Sequence, residues 1–283
     1  MIVATDKMGE AMDVELAGRT VQIEGDPSDG YFAAVEDVAR NTTEIVAMLA
    51  GVPEEAVIFD VGANIGVIAM AMAIVRPRAR IVAFEPSPAI LPYLRKNVAP
   101  FANVEVVQAA ISDRHGVLRF HAATFAAGSH VVGPGHILPS TETVEVQALP
   151  LDSFAAQRGL TPDLIKIDVE GHEPEVLAGA AATIESARPE IAMEFNSWTL
   201  AALGGHNPAT FAHALWESFD VDGFPRALEF LHDNLVVRSC LTDIVMRLKP
   251  GAKVPSLSEM CVSPLARELV RREFTARPLP AES

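Results

Sequence analysis

The stretch Asp60-Val61-Gly62-Ala63-Asn64-Ile65-Gly66 decides how this chain is read. It follows the apolar run Val57-Ile58-Phe59 and leads into a mostly apolar segment ending at Val75. An uninterrupted apolar run is the mark of a strand covered on both faces. The sequence therefore predicts a strand, a glycine-bearing loop and a helix over Ile65–Val75. In an open parallel sheet, ligands bind beyond the carboxyl ends of the strands. Glycine there permits positive φ and lets backbone approach a ligand with no Cβ in the way. The helix N-terminus adds unpaired N–H groups.

The next strand, Arg80–Phe84, ends in Phe84-Glu85-Pro86, with Glu85 25 residues beyond Asp60. An acidic residue at that tip can accept hydrogen bonds from both ribose hydroxyls of an adenosine. A dinucleotide site would need G-x-G-x-x-G, whose middle glycine admits the pyrophosphate. Here Asn64 holds that position and the spacing is Gly62-x-x-x-Gly66, so an adenosine cofactor without a pyrophosphate fits better. The third strand, Val104–Gln108, runs into Ala109-Ala110-Ile111-Ser112-Asp113, where small residues leave room for a flat ring.

Outward from this centre, strands and helices alternate. Helices are expected over Ser87–Val98, Leu151–Arg158, Glu173–Ala182 and Pro208–Ser218, and strands over Val117–His121, Val144–Ala148, Leu164–Ile167, Glu190–Phe195, Phe219–Gly223 and Asp243–Leu248. Such alternation predicts an α/β fold with a mostly parallel sheet and right-handed crossovers. Before it, Met12–Ile23 alternates about Ala17-Gly18-Arg19 as a β-hairpin does. Val35, Val38 and Ala39 then mark one helix, and Asn41 or Thr42 is a candidate cap for a second. The expected organisation is an N-terminal hairpin and helical extension over 1–50, a catalytic α/β domain over 51–250, and a tail with a short helix over 251–283.

Composition narrows the function. The chain is 49% apolar and 21% charged, enough for an ordinary core. A net charge of -15 disfavours nucleic acid and anionic membranes and favours a small-molecule partner. No secretory signal or membrane span is visible, and Cys240 and Cys261 lack metal-ligand spacing. A cytoplasmic protein with reduced thiols is expected, and a homodimer is allowed.

Five motifs in order resemble the FkbM family of methyltransferases: Asp60–Gly66 (DVGANIG), Phe84–Pro86 (FEP), Ala110–Asp113 (AISD) with Gly116, Leu151–Phe154 (LDSF) and Ile165–Glu173 (IKIDVEGHE). Val176–Ala180 and Pro189–Glu194 continue the pattern. The resemblance covers roughly residues 55–200. It implies a Rossmann-like class I methyltransferase fold, a seven-stranded sheet whose last strand is antiparallel, and S-adenosylmethionine as cofactor. It also implies methyl transfer to a hydroxyl of a sugar or polyketide-type natural product. By it, Gly62, Asn64 and Gly66 would hold the methionine part, Glu85 the ribose, and Ala110 with Ser112 would lie near the adenine, with Asp60 and Asp168 as further candidate cofactor-binding residues.

An alcohol is a poor nucleophile at neutral pH, and a positioned base contributes roughly 10²–10⁴-fold. Asp168, Glu170 and His172 follow one strand and Glu194 lies at the end of the next. Asp168 or His172 is a candidate general base, with Glu194 beside them. Alternatively Asp168, Glu170 and Glu194 bind a divalent cation such as magnesium, which suits hard oxygen ligands. In the plainest reading, Glu170 and Glu173 stabilise a helix N-terminus and His172 is a surface residue. Lys166, between two apolar strand residues, needs an acidic partner, with Asp60 and Asp168 as candidates. The loop His121–Thr143, with His121, His130 and His136, has the glycines of a lid, and Asn196 and Trp198 are candidates to line a sugar site. Competing functions are an NAD-linked sugar oxidoreductase, which lacks its G-x-G-x-x-G and Tyr-x-x-x-Lys, and a non-catalytic S-adenosylmethionine-binding module.

Overall fold

The computed structural model describes residues 9–121, 129–132 and 143–262. The chain opens with a hairpin of β1 (Glu10–Leu16) and β2 (Arg19–Gly25). Its two-residue turn places Ala17 and Gly18 at φ 48 and 78, the left-handed pair that matches strand twist. Three short helices follow: α1 (Gly30–Ala33), α2 (Val35–Arg40) and α3 (Thr43–Met48). Thr42 precedes α3 but does not cap it. Its hydroxyl donates back to the carbonyl of Ala39, 2.8 Å away.

The central sheet contains β3 (Val57–Val61), β4 (Arg80–Phe84), β5 (Val104–Val107), β10 (Leu164–Ile167), β11 (Glu190–Asn196), β12 (Phe219–Val221) and β13 (Leu241–Leu248). Their spatial order is β12-β13-β11-β10-β3-β4-β5. Every neighbouring pair is parallel except those involving β13, which runs antiparallel to β11 and β12. This is the seven-stranded arrangement with an antiparallel last strand that the sequence led us to expect. A smaller sheet, ordered β6-β9-β7-β8, comprises β6 (Ala110–Ile111), β7 (Gly116–His121), β8 (His130–Val131) and β9 (Thr143–Leu149).

Helices cover both faces. On one face lie α4 (Val67–Val75) and α5 (Leu91–Val98) together with the N-terminal hairpin and helices. Because α4 is wedged between sheet and extension, its sequence VIAMAMAIV is apolar nearly all round. Asn97 of α5 ties these parts together. Its amide exchanges two hydrogen bonds with the backbone of Glu24 and donates a third to the carbonyl of Ile65 at the glycine loop. On the opposite face α6 (Leu151–Arg158), α7 (Glu173–Gly179), α8 (Ala181–Ala187), α10 (Pro208–Ser218) and α11 (Ala227–His232) cover a core centred on Phe59, Ile165, Met193 and Phe195. The short α9 (Ser197–Thr199) follows β11 and α12 (Leu257–Cys261) closes the described chain. The expected single helix over Glu173–Ala182 is two helices broken at Ala180, and α5 starts at Leu91, after Pro88. Among the described residues no helix is long and apolar enough to cross a membrane.

The strand register fixes the site. Ile167 pairs with Val61 and Met193, and Val61 with Phe84. One residue further on, Gly62, Glu85, Asp168 and Glu194 therefore lie level along the carboxyl edge of the sheet.

Candidate active site

The glycine loop is held by backbone. The N–H groups of Gly62 and Ala63 both donate to the carbonyl of Phe84, 3.0 Å away. Gly62 has φ 82, and a Cβ there would stand 1.8 Å from the carbonyl oxygen of Asp168, so no other residue lets these two segments touch. Asn64 has φ 51, and its side-chain oxygen accepts the Ile65 N–H at 2.8 Å. Asparagine tolerates this left-handed conformation because its side chain bonds locally.

Glu85 is buried and grips the loop. One carboxylate oxygen accepts the Asn64 N–H at 3.0 Å and the other accepts the Ser87 N–H at 2.8 Å. Burial pushes its carboxyl up to about 7 despite those two donors. Each oxygen retains a lone pair for a further donor, which is what a ribose diol offers.

A cleft opens beside this loop, lined by Gly62, Asn64, Glu85, Ala110, Asp168 and His172 among others. Three of the candidate cofactor residues do not face it. Asp60 is fully buried beneath the sheet edge. Gly66 caps α4 at φ 94, where a Cβ would meet Leu94 at 2.8 Å, so its role is close helix packing. Ser112 is buried and turned inward, its hydroxyl 3.0 Å from Nε2 of His172. Tyr31, Ile90, Phe120 and Val131 also line the cleft, and no sequence motif marks them.

Lys166 sits between the loop and the acidic residues. Its Nζ donates to the carbonyl of Gly62 at 2.9 Å, lies 3.3 Å from Oδ1 of Asp60 and 3.5 Å from Oδ2 of Asp168. Burial alone would lower its ammonium, but the Asp60 and Asp168 carboxylates outweigh this and hold it above the ordinary lysine range. Both expected partners are thus engaged at once.

Asp168, Glu170 and Glu194 converge, with one carboxylate oxygen of each within 4.8 Å of the others. The route differs from an extended strand through Asp168 and Glu170. β10 ends at Ile167, and Glu170 turns back at φ 53 with Gly171 at φ 96. Burial, then the nearby Asp168 and Glu173, push Glu170 up to about 9. Burial, then Asp168 and Glu170, push Glu194 up to about 10. Glu173 is no surface cap. It is buried, accepts the N–H groups of Val169 and Gly171, and shapes that turn from within.

The cleft carries Glu85, Asp168, Glu170 and Glu194 but no lysine or arginine among its described lining residues. A pyrophosphate finds no lysine or arginine among these lining residues to pair with, whereas a sulfonium cation meets carboxyl oxygens. Comparison with known proteins agrees. The model of the methyltransferase FkbM domain matches residues 60–234, more than half of the chain. The chain belongs to the FkbM family of methyltransferases. It is an S-adenosylmethionine-dependent enzyme.

Three curated methyltransferases are similar to it. The 2-O-methyltransferase NoeI of Sinorhizobium fredii is 31% identical over 61% of this chain and 76% of its own length. The 31-O-demethyl-FK506 methyltransferase FkbM of Streptomyces tacrolimicus is 34% identical over 44% of this chain and 58% of its own. The hexuronic acid methyltransferase AglP of Haloferax volcanii is 31% identical over 54% of this chain and 61% of its own. The chain thus spans about three fifths of the length of the latter two.

In this FkbM-family chain the remaining candidates divide. His172 lines the cleft and is half-buried, no surface residue, yet both ring nitrogens are occupied, Nε2 by Ser112 and Nδ1 by Glu175 at 3.4 Å. Burial lowers its imidazolium below the ordinary range. Asn196 caps α9 by accepting the N–H groups of Trp198 and Thr199, and Trp198 is 53% exposed and lines neither that cleft nor the core. His121 and His130 lie on β7 and β8, where Phe120, Ser129 and Val131 face the cleft in their stead. His136 and the glycines of that loop lie outside the described residues.

Proposed function

We propose that this enzyme methylates a hydroxyl oxygen of a sugar or other natural-product small molecule, with Asp168 as general base. The observation that carries the reading is the level row of Gly62, Glu85, Asp168 and Glu194 at the sheet's carboxyl edge. The cofactor, when bound, supplies an activated methyl group on a sulfonium. Gly62 and Asn64 would hold its methionine part, Glu85 the ribose hydroxyls, and Ala109, Ala110 and Ile111 the adenine side.

Asp168 is reachable from the cleft, its side chain 39% exposed. Burial keeps Glu170 and Glu194 protonated near neutral pH, so they act as hydrogen-bond donors that orient the acceptor oxygen. Asp168 would then take the hydroxyl proton as the new O–C bond forms and the methyl group's bond to the sulfonium sulfur breaks, the neutral sulfide leaving. His172, with both nitrogens occupied, positions the wall of the cleft and is no base. Relatives named for 2-O- and 31-O-methylation support oxygen as the acceptor atom.

Asp168→Asn should lower turnover by about 10²–10⁴-fold and leave S-adenosylmethionine affinity unchanged in calorimetry. An unchanged rate on a panel of glycosides and polyketide alcohols, scored by mass spectrometry, removes Asp168 from this role. The close approach of the three carboxylates favours one second reading, a divalent cation such as magnesium held by Asp168, Glu170 and Glu194. Turnover lost to a chelator and restored by magnesium would establish it. Turnover indifferent to both leaves the proton-transfer reading standing.

A further inference from the structure

A second cavity of about 330 Å³ lies on the face of the sheet that carries the N-terminal helices. Its floor is two rows of the sheet, read from the register. Lys166, Ala192 and Val245 are cross-strand neighbours in one row. Asp168, Glu194 and Asp243 form the next, since Glu194 pairs with Asp243 and Asp168 lies one step past the Ile167–Met193 pair. Side chains in such rows project from the same face. The roof is Val38 of α2 with Ile45 and Met48 of α3, and Leu241 stands at one side.

Tyr31, Asp168 and Glu194 line this cavity and the cofactor cleft alike. An acceptor oxygen must come within about 3–3.5 Å of the methyl carbon, so an acceptor site must adjoin the cofactor cleft, and these three shared residues mark where the two cavities meet. The second cavity is therefore on the acceptor's side of the proposed base.

Its chemistry is one-sided. The body of the cavity is aliphatic, and its polar end carries the carboxyl groups of Asp168, Glu194 and Asp243. Lys166 is the one cation among the described lining residues, and it is committed to Asp60, Asp168 and the Gly62 carbonyl. An anionic acceptor would be desolvated beside carboxyl groups with no uncommitted lysine or arginine among the described lining residues to meet it. A hydroxyl donor finds carboxylate acceptors, and an alkyl or alicyclic part finds Ala192, Val245, Ile45 and Met48.

We infer that the acceptor binds in this second cavity and is an uncharged hydroxylated compound with an aliphatic body, not a uronic acid or a phosphorylated sugar. The inference rests on the methyl-transfer reading above and goes beyond it by naming the acceptor's place and charge. It also makes the N-terminal extension, through Val38, Ile45 and Met48, part of substrate recognition.

The test uses the full chain saturated with S-adenosylhomocysteine, titrated in a calorimeter with hexyl β-D-glucoside and, separately, hexyl β-D-glucuronide. These probes share size and hydroxyl pattern but differ in charge. The glucoside should bind at least about tenfold more tightly. Ala192→Leu, which fills the floor, should weaken glucoside binding about tenfold or more with S-adenosylhomocysteine affinity within about twofold of wild type. Asp243→Lys should shift the preference toward the glucuronide by about tenfold. Equal or tighter glucuronide binding by the wild type, saturable binding of neither probe, or glucoside binding indifferent to Ala192→Leu overturns the inference while leaving the methyltransferase reading intact. Failure to bind S-adenosylhomocysteine at all would instead sink that reading.

Discussion

The two halves of the site are built by different means. The cofactor half, at the ends of β3 and β4, is a set of local backbone turns. Gly62 and Ala63 bond to Phe84, and Asn64 and Ser87 bond to Glu85. The proposed acceptor half, at the ends of β10 and β11, has few such bonds and concentrates carboxyl groups. Asp168, Glu170 and Glu194 crowd together, and Glu194 keeps a buried oxygen with no hydrogen-bond partner among the described residues. One half is satisfied before a ligand arrives. The other stores electrostatic tension that a substrate proton, a donor hydroxyl or a cation relieves. Binding needs a fixed cradle, whereas proton transfer needs groups whose ionisation is easily moved.

The two halves meet at Gly62, which makes it the place to break the comparison hardest. A methyl group at that position would overlap the Asp168 carbonyl, 1.8 Å away, in a conformation with φ 82. Backbone cannot retreat as a flexible side chain would. Gly62→Ala should cost about 5 kcal/mol or prevent folding, measured by urea denaturation. A variant with wild-type stability and cofactor affinity would show that the halves are not in rigid contact.

Lys166 is the electrostatic link between them. Lys166→Met leaves Asp60 buried without its countercharge, and breaking a buried pair in this way costs about 3–4 kcal/mol. The carbonyl of Gly62 also loses a donor, so cofactor affinity should fall along with stability. A large stability loss with unchanged cofactor affinity would confine Lys166 to the acceptor half.

How much of this was legible in the sequence follows the same division. The glycine-loop side is written in contiguous motifs, so Gly62, Asn64 and Glu85, which line the cleft, were picked out from spacing, and α6 and α10 matched their predicted ends at Leu151–Arg158 and Pro208–Ser218. Where motif residues turned out to face away, as Asp60, Gly66 and Ser112 do, the motif encodes packing of the loop and not its surface. The acceptor half is assembled from positions far apart in the chain. Asp168, Glu170 and Glu194 were visible as acidic strand ends, but the turn at Glu170 that joins them is a backbone event with no propensity signal. Tyr31, Ile45 and Met48 carry no mark in the sequence, because only tertiary packing brings the extension over β11 and β13. Neither α11 nor the break at Ala180 was foreseen, and both are matters of packing against the core.

The acceptor half also makes a prediction about pH. Burial raises Glu170 to about 9 and Glu194 to about 10 from an ordinary value of 4.5. The folded protein therefore holds these protons more tightly than the unfolded chain. Their contribution is fully present below about pH 4.5 and is lost as pH rises toward 9–10. Between pH 6 and 9 the wild type should therefore lose stability steadily through these groups. The Glu170→Gln, Glu194→Gln double variant should show a flatter profile in thermal denaturation. Magnesium that restores wild-type stability at pH 9, but not that of the double variant, would sharpen the contrast in favour of a cation site. Parallel profiles for the two proteins would mean that the carboxylates are not strained.

The smallest effect is expected in the cofactor half, at Asn64, and it separates two meanings of that residue. Glycine at this position would relieve the left-handed backbone at φ 51 but lose the 2.8 Å bond from Ile65 N–H to the asparagine side chain. Each is worth about 1 kcal/mol, with opposite sign. Asn64→Gly should therefore change stability by less than about 1 kcal/mol and cofactor affinity by less than about threefold. It should also fail to create NAD binding. The exclusion of a dinucleotide comes from the acidic lining of the cleft and the Gly62–Gly66 spacing, not from the asparagine side chain. Measurable NAD affinity in the variant would reverse that conclusion and make one side chain, not the charge of the whole cleft, the feature that selects the cofactor.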